Sequence, residues 1–261
     1  MGFPAMGLTS FMKMAGNRWI KKVEDSLPQQ QRIAGGVLAT PGQHPYAAAI
    51  FFARDTTNFH LICGGAILNN RSVLSASSCW IDNFPNQFRI RVGSIDPKSG
   101  GTVHNVATIL SHPTYNAWNR NNNIGIIRAS SAFPLGNNVR PIMIAGTNYA
   151  VGDNQYVWTM GWGQTTENGP QYGKLHRVDI RTINQAHCQN VYGLNFLTVT
   201  MMCAGWTETP RGACSGDMGS PLVHRNVTVG VTSFITGCGD THFPAIYTRV
   251  NRYTAWIQTN A

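Results

Sequence analysis

Charge is scarce in this sequence: Asp, Glu, Lys and Arg make up 12% of its 261 residues, against 43% hydrophobic ones. Disordered chains show the opposite balance, so a folded protein with a sizeable core is expected. Acidic residues are the scarcest, 11 against 20 basic ones, leaving +9 at neutral pH. Apolar runs are short. None approaches the roughly 18–20 residues of a bilayer-spanning helix, so no membrane span is expected. There is no internal repeat, no C-x-x-C pair and no local Cys/His group with zinc spacing. Neither a metal nor a cofactor is therefore expected.

The cysteines that are present number six and are spread through the chain: Cys63, Cys79, Cys188, Cys203, Cys214 and Cys238. An even, dispersed set of this kind fits three disulfides and an extracellular, secreted protein. Two N-x-S/T sequons, Asn70-Arg71-Ser72 and Asn226-Val227-Thr228, agree with export. Residues 1–32 form a distinct N-terminal, propeptide-like segment with five basic and two acidic residues, net +3, leaving +6 for the remainder. Met1 to Gly16 is mildly apolar, but Lys13 interrupts it, and it matches a secretory leader poorly. The positive balance favours an acidic polysaccharide or microbial surface as partner, beside a protein partner. No nucleic-acid-binding motif is present, so no specific nucleic acid is expected.

From Ile33 onward short apolar runs such as Tyr46–Phe52, Phe88–Val92, Val227–Phe234 and Ala245–Val250 alternate with Gly, Asn and Pro turns. This spacing predicts an antiparallel all-β barrel or sandwich. Tyr253, Trp256 and Ile257 have helical spacing, predicting one amphipathic helix at the end of the sequence.

Several motifs then fall in one order. They are Arg32-Ile33-Ala34-Gly35-Gly36, Cys63-Gly64-Gly65, Ser75-Ala76-Ser77-Ser78-Cys79, Gly161-Trp162-Gly163, Cys214-Ser215-Gly216-Asp217-Met218-Gly219-Ser220-Pro221 and Pro244-Ala245-Ile246-Tyr247. In this order they resemble the trypsin/chymotrypsin-type serine proteases. The resemblance implies two antiparallel six-stranded Greek-key barrels, about 33–134 and about 150–250, with a short C-terminal helix at about 251–259. It also implies the disulfides Cys63–Cys79, Cys188–Cys203 and Cys214–Cys238.

The same resemblance places Ser78 where the family carries its histidine base, Asn123 where it carries aspartate, and Met218 where it carries the serine nucleophile. A thioether has no proton to lose, and an alcohol is no base at neutral pH. The expectation is therefore that the chain is no enzyme. A relocated triad would have to draw on Ser215 or Ser220 with His60, His104 or His112, and is disfavoured because nucleophile and base must lie within hydrogen-bonding reach. Gly216 and the Met218 N–H keep the oxyanion-hole positions. Arg32, Ile33 and Asp217 match the family's activation pair. Gly212 replaces a trypsin's base-of-pocket aspartate, and Ser233, Phe234, Ile235 and Ala245 suggest a partly plugged, apolar pocket.

The functional expectation is an extracellular protease homologue acting as a binding or regulatory protein, possible roles including a cofactor in a proteolytic or immune cascade. The alternatives are a residual or atypical serine-type endopeptidase with a chymotrypsin-like pocket, and a basic heparin- or microbe-binding protein. The oligomeric state is open.

Overall fold

The computed structural model describes residues 14–15, 18–19 and 34–261, apart from 171, 172 and 195. Two compact units divide at Gln30/Gln31. In the first, β1 (Met14–Ala15) pairs antiparallel with β2 (Arg18–Trp19). All else belongs to the second.

The second unit holds two barrels. The first closes in the order β4 (Ala47–Phe52), β5 (His60–Ile67), β6 (Ser72–Ser75), β9 (Gly125–Ala129), β8 (Thr102–Ser111) and β7 (Phe88–Val92). Strand β7 shows why it closes: Phe88, Ile90 and Val92 point inward and are buried, while Arg89 and Arg91 alternate outward. The other barrel runs β11 (Tyr156–Gly161), β12 (His176–Ile183), β13 (Met201–Gly205), β16 (Ala245–Arg249), β15 (Val227–Phe234) and β14 (Pro221–His224), which returns to β11. Two short strands dock on it: β3 (Val37–Leu38) on β12, and β10 (Met143–Ile144), which runs parallel to β15. The expected two-barrel architecture is what the chain adopts. One continuous apolar core joins the barrels, from Ile50, Phe88 and Ile126 to Val157, Leu222 and Tyr247.

Disulfides join Cys63 to Cys79, Cys188 to Cys203 and Cys214 to Cys238. The terminal helix is α2 (Thr254–Asn260), entered through a 3-10 turn at Val250–Arg252. A helix that the apolar pattern did not announce is α1 (Gln185–Tyr192). It is short and weakly amphipathic. Its start is fixed by the Asn184 side chain, which accepts the His187 N–H, and Cys188 ties it to β13.

Candidate functional site

Three loops converge where the barrels meet. Ser78 sits in the 3-10 turn Ser77–Cys79 that follows β6. Asn123 lies just before β9 and is fully buried. Met218 lies just before β14.

Asn123 organises the centre. Its Oδ1 accepts the Ser78 N–H at 2.9 Å. Its Nδ2 donates to Ser78 Oγ at 3.1 Å and to Ser233 Oγ at 3.0 Å. The Asn123 carbonyl accepts from the Thr248 hydroxyl of β16 at 2.8 Å. One side chain thus links both barrels. Ser78, as acceptor from Asn123, keeps its own proton free for another partner.

Met218 is brought to the same wall through β5. Its carbonyl accepts the Gly64 N–H at 2.8 Å, and the adjacent Cys63 is bonded to Cys79, next to Ser78. The Met218 side chain is half-buried and packs on the shared core, as does Ile235. The turn beneath it needs glycine at 219: φ is +77°, and a Cβ there would stand 2.0 Å from Ser75 Oγ. Gly216 is also left-handed, with φ +96°. Among the described residues, no backbone carbonyl takes the N–H of Gly216 or Met218. At the two positions that the resemblance assigns to an oxyanion hole, the N–H groups thus have no backbone partner.

Asp217 is fully buried. Its Oδ1 accepts the Gly163 N–H at 2.8 Å and its Oδ2 the Cys214 N–H at 2.9 Å. Those bonds favour the carboxylate, but burial outweighs them and pushes its pKa up to about 7. Ala34 is buried, its carbonyl accepting the Gly212 N–H at 3.1 Å. Arg32 and Ile33, expected to complete this pair, lie outside the described residues.

Of the pocket residues, Ser233 is fully buried and Ala245 nearly so, while Phe234 and Ile235 are half-buried. Phe234 is edge-on to Phe196 and Tyr192, with ring centroids 5.6 and 6.1 Å away, and Phe243 adjoins Tyr192. This aromatic wall escaped the sequence reading, because its members are scattered over α1, two loops and β15. Aromatic residues bracketing Phe234 were the one available signal.

Of the three histidines considered for a relocated base, His60 is exposed at the start of β5, and His104 and His112 are engaged elsewhere. His104 lies between Thr102 Oγ1 and Ser131 Oγ at 2.8 and 2.9 Å. His112 contacts Thr114 and packs on Tyr253 and Trp256. No cluster of three or more metal-binding side chains occurs among the described residues.

A family model for trypsin matches residues 33–257. The chain is 43% identical over 240 residues to trypsin CFT-1 of Choristoneura fumiferana, covering 90% of this chain and 94% of that protein. It is 44% identical over 234 residues to alkaline trypsin C of Manduca sexta, covering 88% and 91%. A vitellin-degrading protease of Bombyx mori is 31% identical over 230 residues, covering 88% and 85%. These relatives overturn the expectation that the chain is no enzyme. That reading weighed Ser78, Asn123 and Met218 alone, whereas similarity over nearly the whole second unit is to named proteases and points to one.

Proposed function

Because this chain belongs to the trypsin family of serine proteases, we propose that it is an extracellular, atypical endopeptidase with residual turnover. It holds an extended peptide in the cleft between its barrels and polarises the scissile carbonyl with the Gly216 and Met218 N–H groups. The single observation that carries this reading is the pair of unspent N–H donors beside the hydrogen-bonded Asn123–Ser78 pair. Ser78, Asn123 and Met218 cannot run the family's proton relay. Oxyanion donors and substrate binding nonetheless leave about 10³–10⁴-fold acceleration over water when triad members are removed from a serine protease. With Gly212 in place of a pocket acid, an apolar side chain is preferred over Arg or Lys.

Cleavage after Arg32 would supply the Ile33 amine to Asp217, a buried carboxylate with no cation partner among the described residues. The test is hydrolysis of an activated ester by the chain cleaved after Arg32. Slow turnover that resists a fluorophosphonate is expected. Rapid covalent labelling of a serine, or no rate above buffer, would refute the proposal.

A second reading, binding of an acidic polysaccharide, is favoured by how charge is divided. Residues 34–145 carry eight basic and three acidic residues, and 146–261 seven and six. The ion pairs found among the described residues, Arg177–Asp179 and His242–Asp240, are both in the second barrel.

A further inference from the structure

The hairpin between β14 and β15 turns through Arg225 and Asn226, with φ of +48° and +63°. Both residues are exposed, and a two-residue left-handed turn of this kind suits asparagine. Two residues later the chain is interior: Thr228 is fully buried. Its backbone serves the sheet, its carbonyl accepting the Ala145 N–H at 2.9 Å. Its hydroxyl serves nothing, because Thr228 Oγ1 is buried with no hydrogen-bond partner.

A buried hydroxyl without a partner is a cost that valine, of the same shape, would not incur. The folded barrel thus gives no reason for threonine at this position. The reason is available before folding, since Asn226-Val227-Thr228 is a sequon and its third residue must carry a hydroxyl. We propose that Asn226 is N-glycosylated. The inference rests on the extracellular reading above, because the transferase acts in the secretory pathway. In the reaction, Asn226 Nδ2 attacks the anomeric carbon of a lipid-linked oligosaccharide diphosphate. The new C–N bond replaces the C–O bond to the diphosphate, which departs with the electron pair, and the amide loses one proton.

The position gives the glycan a place to lie. Val227 pairs with Met143 of β10, an exposed methionine at one edge of an apolar groove that also includes Leu68, Ile144 and Ile257. The first sugars therefore stand beside this groove. Asn226 is at the opposite end of β15 from Ser233, seven residues away, or roughly 23 Å of extended strand. The cleft stays clear. The other sequon, at Asn70, is also exposed and its Ser72 is buried too, but the Ser72 hydroxyl is not among the buried atoms left without a partner, and no claim rests on it.

The experiment is peptide mapping of the full chain, expressed in insect cells and recovered from medium and lysate separately, before and after treatment with peptide N-glycosidase. Expected is a glycan on Asn226 of the secreted protein, kept in Thr228→Ser and lost in both Asn226→Gln and Thr228→Val. Of the two unglycosylated variants, Thr228→Val should melt at the higher temperature. Secreted protein with Asn226 bare overturns this inference alone. Protein confined to the cytosol overturns the extracellular reading and the inference with it.

Discussion

Asn123 shows how much one buried amide can hold in place. Its side chain meets a backbone N–H and two hydroxyls, and truncation would strand all of them in a buried site. Asn123→Ala is expected to lower stability by about 2–3 kcal/mol, measured by urea unfolding. Asn123→Asp, which accepts from the same three groups once both hydroxyls rotate, should fold normally.

Two other buried groups oppose each other in acid. His44 is buried beside Arg177, and its pKa is lowered to about 4 from the usual 6.5. The unfolded chain therefore takes up this proton first, and stability from His44 is lost as pH falls from about 6.5 to 4. Asp217 has the reverse sign. With its pKa raised to about 7, the folded state holds the proton, and stability is lost as pH rises from about 4 to 7. In the uncut protein the two slopes largely cancel between those limits. Asp217→Asn should therefore expose a loss of stability below about pH 6.5. Thermal melts across that range check this, and an unchanged flat profile would contradict it.

At the scale of elements, the site depends on turns packed against β5. The Cys63–Cys79 bridge ties that strand to the turn carrying Ser78, and the Gly64 N–H donates to the Met218 carbonyl. Replacing both cysteines with alanine is expected to cost about 2–5 kcal/mol by denaturant unfolding. Gly219→Ala should be nearly as damaging, because its Cβ would meet Ser75 Oγ and the Gly64 carbonyl at a left-handed φ.

These turns also explain what was legible beforehand. Ser78 and Met218 could be placed from the sequence because the motifs that hold them, Ser75–Cys79 and Cys214–Pro221, resemble those of the family. Strands β7 and β15 were legible because alternation or a long apolar run marks them. The helix α1 was not, since its formation depends on a cap and a disulfide rather than on an apolar stripe. Nor was the wall of Tyr192, Phe196 and Phe243, which is assembled by tertiary contact. The protease character was misjudged for another reason: three side chains state which steps are lost, not what the surrounding cleft still does.

For the whole molecule, the division of charge makes one prediction. Between residues 34 and 145, basic side chains contact backbone and neutral groups: Arg89 the carbonyls of Asn86 and Phe88, and Arg91 that of Gly100. Their charge remains available to a polyanion. Binding to heparin should weaken steeply with added salt, and Arg89→Ala with Arg91→Ala should weaken it further. Equal retention by the double variant would argue against this surface.

On the function proposed above, turnover is residual because the trypsin scaffold keeps its oxyanion donors and lacks the proton relay. The direct measurement compares ester and peptide hydrolysis by the cleaved protein with that of Ser78→His, Asn123→Asp and Met218→Ser combined. Restoring the relay in an intact frame should raise kcat by about 10⁶-fold, the scale of loss when such a triad is removed. A folded triple variant no faster than the parent would contradict the account.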